Sequence, residues 1–141
     1  MPDLSDDGHC FVCGPKNPIG LKLDFIFDGT TLKTRFVPRK EHQGYTDIVH
    51  GGIIAALLDE VMVKLAIERG MPAVTARMDI RLKHALPVGE EVTVEAEITG
   101  EAKKLIEAYA RAVAADGKVI ADARGKLVRV KSEIRQRRNN E

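Results

Sequence analysis

The stretch that decides the fold is GGIIAALLDEVMVKLAIER, residues 51–69. It opens on two glycines, contains no proline, and is followed by Gly70-Met71-Pro72, which predicts the end of a helix. When its residues are spaced by about 100°, apolar side chains occupy almost the whole circumference, which is typical of a buried helix. One continuous apolar stripe is formed by Ile54, Leu57, Leu58, Val61 and Leu65.

Alternating apolar and polar residues predict strands on both sides of this helix. Residues 21–27 and 32–37 form a predicted hairpin around Asp28-Gly29-Thr30. After the helix, further strands are predicted at residues 73–84, 91–99, 105–115 and 119–130. The order of two strands, one long helix and four strands in an antiparallel meander indicates an α+β fold, with a curved sheet wrapped around the helix. We expect one domain over residues 1–141, with an N-terminal coil at 1–20 and a charged tail at 131–141.

Composition excludes several classes of function. With 22 basic and 21 acidic residues the net charge is +1, which argues against a nucleic-acid-binding protein. No apolar run approaches the roughly 20 residues of a membrane span, and the first residues lack the features of a signal peptide. We therefore expect a cytoplasmic protein. The chain has 4% aromatic residues and no Trp, which indicates a thin core that needs a partner subunit.

Two neighbouring acidic residues on the helix differ in their surroundings. Glu60 has Lys64 four residues on, and we predict an ordinary solvated ion pair. Asp59 instead lies in an apolar sector with Ala55 and Ala66. A carboxylate buried there without a partner costs several kcal/mol, so Asp59 is expected to be hydrogen-bonded, to have a raised pKa or to line a cleft. It is either a structural Asp or a nucleophile or general base.

The start of the helix offers a second candidate group. Gly51 and Gly52 allow another molecule to approach backbone N–H groups that have no partner inside the helix. These groups lie at the positive end of the helix dipole, so they can polarise a carbonyl and stabilise an oxyanion. His50 is either part of this site or a helix cap.

The stretch HGGIIAALLDE, residues 50–60, resembles the signature of hotdog-fold acyl-CoA thioesterases of the PaaI-like superfamily. The likeness extends over about residues 10–130. It implies an antiparallel sheet of five or six strands around one long helix. It also implies that Asp59 is catalytic, and that Thr75 helps to place the attacking water.

The resemblance further implies a homodimer with two active sites at the subunit interface, often paired into a homotetramer as a dimer of dimers. The expected reaction is hydrolysis of an acyl-CoA thioester, with the carbonyl polarised by the Gly52 N–H and with Asp59 as nucleophile or general base. His50 is expected to orient the loop and the thioester. No cofactor is expected, because coenzyme A is part of the substrate. The alternatives are a non-catalytic acyl-CoA-binding protein and a hotdog dehydratase, although the chain lacks the Asp-x-Asn-x-x-His run of the dehydratases.

The substrate-binding residues differ from the family pattern at one position. Part of the PaaI-like branch has an Asn six residues before the His, where this chain has Gly44. Gln43 or His42 is the expected replacement, together with the backbone of Gly51. Basic residues with even spacing along the strand after the helix are expected to meet the CoA phosphates, although a solvated sheet face explains them equally well: Arg77, Arg81 and Lys83.

Cys10 and Cys13 form a single C-x-x-C motif after His9. A structural zinc site needs four ligands, so His9 and the two cysteines would require a partner subunit to complete it. A redox role is less expected, because redox-active C-x-x-C motifs open a helix in a βαβ unit and this motif does not. We expect a turn with small buried thiols and no metal.

Overall fold

The computed structural model describes residues 4–131, so the predicted charged tail lies almost entirely outside the described residues. One long helix packs against one six-stranded antiparallel sheet, which confirms the α+β prediction. A short 3-10 helix, Lys40–His42, precedes the long helix α1, Gly51–Glu68. The strands are β1 (Phe25–Phe27), β2 (Leu32–Phe36), β3 (Ala73–Leu82), β4 (Val92–Glu101), β5 (Leu105–Ala114) and β6 (Val119–Arg129).

The order of the strands in the sheet is β1-β2-β4-β5-β6-β3. The predicted meander of the last four strands is therefore wrong for β3, which pairs with β6 instead of β4. The connection from β2 to β3 contains α1, whose 18 residues span about 27 Å, which is long enough to bridge the four strand spacings, roughly 19 Å, between these two strands. The helix carries the chain across the sheet to its far edge, and β4 then returns to pair with β2.

The first strand is shorter than predicted. Leu21 and Leu23 are buried, as their alternation predicts. Their backbone N–H groups, however, donate to the carbonyls of Phe11 and Val12 at 2.9 and 3.1 Å, so this segment pairs with the cysteine-containing turn. Only residues 25–27 form a ladder with β2.

The core lies between α1 and the sheet. Large helix side chains are fully buried, and many of the buried strand residues are alanines. A Cβ at Gly125 on β6 would lie 3.0 Å from Met62 Sδ, so a residue without a side chain is what lets the helix pack so closely. The small buried strand residues are Ala96, Ala108, Ala110, Ala112, Ala121 and Ala123. The low aromatic content is therefore also explained by close packing of helix on sheet within one chain.

A buried acid links the two strands at the β3 edge. Asp122 on β6 is 4% exposed, and it accepts hydrogen bonds from Arg81 Nε and Nη2 at 3.0 and 2.9 Å. Lys83 Nζ lies 3.2 Å from the same carboxylate, and the Tyr109 hydroxyl donates to it at 3.2 Å. The Arg81 guanidinium, with help from Lys83, holds the Asp122 pKa below its ordinary value of 3.8.

Within the described residues, α1 and the other helical turn lack the length and apolar character that a membrane span requires.

Replacing Leu57 by Ala tests the packing of α1. Leu57 is fully buried, so we expect the free energy of unfolding to fall by about 2–5 kcal/mol in urea titrations. Ile26→Ala is the matched control, because Ile26 is 72% exposed and its loss should change stability by about 0.5 kcal/mol or less. Equal effects of the two substitutions would contradict the proposed packing.

Replacing Asp122 by Asn tests the ion-pair cluster through pH. Because the folded pKa of Asp122 lies below 3.8, its carboxylate stabilises the fold above that pH, and the contribution is lost as pH falls toward the lower folded pKa. Thermal melts should therefore show a large difference between wild type and variant at pH 7 that shrinks below about pH 4. Asp116→Asn, in the exposed β5–β6 turn, should show little difference at either pH. An Asp122→Asn difference that stays constant from pH 7 to 3 would overturn this assignment.

Candidate active site

Asp59 on α1 and Thr75 on β3 form a hydrogen-bonded pair. Thr75 Oγ1 donates to Asp59 Oδ1 at 2.5 Å, and both residues are half-buried. The register of β3 against β6 shifts between Thr75 and Arg77, directly beside this contact. The structure thus brings together the two residues that the resemblance singled out, and the carboxylate keeps a side open to a ligand.

The start of α1 is capped by its own histidine. His50 is the N-cap residue, and its Nδ1 accepts a hydrogen bond from the Gly52 N–H at 2.8 Å. The N–H that was predicted as an oxyanion donor is therefore occupied by the imidazole in this structure. Because the His50 side chain is exposed, it can move aside without opening the core.

Two shallow grooves flank the helix start and share Val49 and Gly51. One, of about 470 Å³, also includes Tyr45 and His50, and the other, of about 250 Å³, lies against Leu82 and Ile54. Tyr45 and Leu82 are large apolar side chains that are exposed. An extended ligand with apolar parts therefore has surface to lie on beside the Gly51-Gly52 backbone.

Within one chain the two halves of the predicted site are far apart. Gly52 and Asp59 are seven residues apart on α1, which corresponds to about 10.5 Å along the helix axis. Nucleophilic attack needs reacting atoms about 3–3.5 Å apart. A carbonyl held at the Gly52 N–H is therefore out of reach of Asp59 from the same chain.

His42 and Gln43 are used to hold the loop before α1. His42 is 7% exposed, packs its ring against Phe36 with centroids 5.1 Å apart, and accepts the Arg39 N–H at Nδ1. Burial lowers its pKa, and because its ring is packed in the core, the structure offers no support for the prediction that His42 binds substrate. Gln43 Oε1 accepts the N–H of Asp47 at 3.0 Å, so this oxygen is engaged within the loop.

The three predicted phosphate-binding residues are exposed, but each has an acidic neighbour. Arg77 Nε lies 3.3 Å from Asp79, whereas Arg81 and Lys83 share Asp122. The even spacing correctly placed Arg81 and Lys83 on one face. Of the three, Lys83 lines a groove at the helix start.

The prediction of an ordinary solvated ion pair between Glu60 and Lys64 is wrong. Lys64 is 8% exposed, and Glu60 faces the N-terminal segment with its Oε2 only 2.9 Å from Cys10 Sγ. Burial raises the pKa of Glu60 to about 8, while the hydrogen bond from Cys13 lowers the pKa of Cys10 to about 4. The sequence signal was available: a helix that is apolar all round leaves no solvated face, so Glu60 needed a partner from another segment.

A larger depression, of about 650 Å³, lies elsewhere, between residues 18–26 and β2. Its lining includes Lys22, Lys33 and Arg35 but neither Asp59, Thr75 nor the start of α1. The large depression thus lacks the residues with catalytic potential. We place the candidate site instead at Asp59, Thr75 and the start of α1.

Comparison with known proteins agrees with the family resemblance of residues 50–60. The chain is 30% identical over 99 residues to human acyl-coenzyme A thioesterase THEM5, covering 67% of this chain and 40% of that protein. It spans between 40% and 63% of the length of the curated relatives it matches. The structure of E. coli PaaI, from the phenylacetic acid degradation operon, superposes with a TM-score of 0.74 at 21% identity, covering 79% of this chain and 81% of PaaI.

A structure of smu.793 from Streptococcus mutans UA159, bound to acetyl CoA, superposes with a TM-score of 0.73 at 16% identity, covering 77% of this chain and 88% of that one. At these identities the two structures establish the hotdog fold of this chain. The family model described as the thioesterase superfamily matches residues 46–121, which contain the helix start, Asp59 and Thr75. The chain therefore belongs to the thioesterase superfamily, with a PaaI-like hotdog fold.

Proposed function

We propose that this protein hydrolyses an acyl-CoA thioester to a free acid and CoA, and that Asp59 is its catalytic carboxylate. The observation that carries the proposal is the half-buried Asp59–Thr75 pair, which keeps a carboxylate oriented in an apolar sector of the helix. Membership of the thioesterase superfamily and the acyl-CoA thioesterase relatives support the reaction class. The acetyl CoA bound to the similar Streptococcus structure supports the choice of thiol.

The active site is completed by a second copy of the chain. Gly52 and Asp59 are about 10.5 Å apart along one helix, so the reacting groups must come from two helices. The sheet ends at β3, whose outer edge carries unpaired backbone groups along a strand of ten residues. The helix sector around Asp59, with Ala55 and Val63, is half-buried in the single chain and is available for a partner to cover. A two-fold dimer satisfies these constraints, and the dimer of dimers stays a prediction.

The reaction begins when the thioester carbonyl replaces the His50 ring at the Gly52 N–H. That backbone donor then stabilises the oxyanion of the tetrahedral intermediate. The partner's Asp59 takes a proton from water as the water oxygen attacks the carbonyl carbon. The C–S bond then breaks, the acid is released, and the CoA sulfur leaves as a thiolate that takes up a proton. The reaction needs water and no further cofactor.

Thr75 orients both the Asp59 carboxylate and the attacking water. Its single hydroxyl hydrogen is used in the bond to Asp59 Oδ1, so its oxygen lone pairs remain to accept a hydrogen bond from the attacking water. Asp59 Oδ2 is then the oxygen that faces the water. Lys83, at the rim of the smaller groove, is the nearest of the predicted basic residues for a CoA phosphate, with Arg81 and Arg77 farther along the same edge strand.

The occupied Gly52 N–H favours one alternative, a protein that binds acyl-CoA without hydrolysing it. In that case the His50 cap would stay in place, and Asp59 would be a structural partner of Thr75. Thioester binding without release of free thiol distinguishes this function from the proposed one.

Replacing Asp59 by Asn tests the catalytic assignment. Asn keeps the shape of Asp and an acceptor for Thr75 but cannot take a proton, so we expect kcat to fall by several hundredfold or more. Thiol release should be followed on phenylacyl, short-chain and medium-chain CoA thioesters, with Asp116→Asn as the matched control. A folded Asp59→Asn protein with near wild-type turnover would contradict the proposal. A wild-type protein that binds these thioesters without cleaving them would establish the alternative.

A mixed dimer tests whether the site is shared between subunits. Gly52→Val covers the N–H at the helix start, and Asp59→Asn removes the base, so each variant alone should be inactive. In a heterodimer, one of the two sites combines an intact Gly52 with an intact Asp59 from the other chain. Mixing the variants under subunit exchange should therefore recover about a quarter of wild-type activity, because about half of the dimers are mixed. Absence of recovery, with exchange shown by mass spectrometry, would mean that each chain carries its own complete site.

A further inference from the structure

The N-terminal cysteine motif and the central helix form a compact cluster of potential metal ligands. Cys10 Sγ lies 2.9 Å from Glu60 Oε2, and the ligand atoms of Cys10, Cys13 and Glu60 all lie within 4.8 Å of one another. Each of the three residues is half-buried. The sequence pattern suggests His9 as the third ligand beside Cys10 and Cys13, whereas the structure brings Glu60 of the helix to that position.

The turn that carries the cysteines is built to bring both sulfurs to one side. The Gly14 N–H donates to the Cys10 carbonyl at 2.8 Å, and the Lys16 N–H donates to the Gly8 carbonyl at 2.9 Å. A Cβ on Gly14 would lie 2.3 Å from the Cys10 nitrogen, so only glycine fits after the second cysteine. The Cys13 N–H also points at Cys10 Sγ, at 3.5 Å. The motif is therefore held in place by its own backbone.

The dimensions of the cluster fit a tetrahedral ion. With Zn–S bonds of about 2.3 Å and a Zn–O bond of about 2.1 Å, tetrahedral ligands are separated by about 3.8 Å for S···S and about 3.6 Å for S···O. Both separations fall within the 4.8 Å of the cluster. The Cys10–Glu60 contact at 2.9 Å would have to open by less than about 1 Å, which a side-chain rotation provides.

The charges around the cluster also balance. Lys64 lies one helical turn after Glu60 and is buried, and its charge acts on both Cys13 and Glu60. Two thiolates and a carboxylate carry three negative charges, and a divalent ion together with the Lys64 ammonium carries three positive charges. A buried cation beside these ligands therefore neutralises the loaded site, where a buried excess charge would be costly.

We propose that Cys10, Cys13 and Glu60 form a zinc site that fastens the N-terminal segment to α1. Thiolate ligands in a C-x-x-C motif together with a carboxylate select Zn²⁺ over Mg²⁺ or Ca²⁺. The fourth position is open to water, because His9 is exposed with its Nδ1 beside Asp7. Glu60 is rotated by about 100° from Asp59 around the helix, so the ion lies outside the thioester site, where it joins the N-terminal turn to the helix.

Metal content and spectroscopy test the proposal on the full chain without an affinity tag. Protein purified under reducing conditions and equilibrated with Zn²⁺ should retain about one zinc per chain after gel filtration, measured by elemental analysis. Co²⁺ added to the chelator-treated protein should give a thiolate-to-metal charge-transfer band. Removing Zn²⁺ should lower Tm, and adding it back should restore Tm.

Three substitutions and one control assign the ligands. Cys10→Ser and Cys13→Ser should each abolish the charge-transfer band or shift it to that of a single thiolate, and Glu60→Gln should retain two-thiolate absorption with weaker affinity. Asp59→Asn, the neighbouring carboxylate on the same helix, should bind one zinc as wild type does. Circular dichroism identifies any variant that fails to fold, and the wild-type Co²⁺ spectrum decides the proposal without any variant. Wild-type protein with far less than one zinc per chain and no Co²⁺–thiolate band, or with Cys10 and Cys13 joined in a disulfide under reducing conditions, would overturn it.

Discussion

The structure depends on one helix that is buried on nearly every side. The side chains of α1 pack against strands β2 to β6, and its buried residues belong to the same apolar core cluster as those of the sheet. A buried helix offers almost no place for a polar side chain that is not matched by another group. The positions of the polar residues on α1 are therefore explained by their partners in other segments and not by the intrinsic helix propensity of each residue.

The two central acidic residues of α1 are each matched by a group from a different part of the chain. Asp59 receives the hydroxyl of Thr75 from the edge strand, and Glu60 lies against Cys10 from the N-terminal turn. Lys64, one turn later, balances the charge of that second group. Two adjacent acidic residues thus have separate functions in our account: one performs chemistry at the subunit interface, and the other anchors the N-terminal segment.

The sequence was sufficient to predict the elements built from local patterns and the pair carried by the family signature. The helix from Gly51, the Asp28-Gly29 hairpin and the juxtaposition of Asp59 with Thr75 were all predicted. Features that depend on long-range packing were not. The pairing of β3 with β6 depends on where the connection through α1 returns to the sheet, which strand periodicity does not record. Glu60 and Lys64 have the i, i+4 spacing of a solvated pair, and only the position of the cysteine turn shows that they are buried. In the same way, nothing in the residue types distinguishes His50 as a helix cap from His50 as a substrate ligand.

The central claim is that a thioester carbonyl held at one subunit's helix start is attacked with the help of the carboxylate from the other. A crystal structure with a non-hydrolysable acyl-CoA analogue tests this claim most directly. The account predicts the analogue's carbonyl oxygen about 3 Å from the Gly52 nitrogen, the His50 ring displaced, and the partner's Asp59 about 3–4 Å from the carbonyl carbon or joined to it by one water. An analogue bound with its carbonyl away from Gly52, or beside an Asp59 of the same chain, would contradict the account.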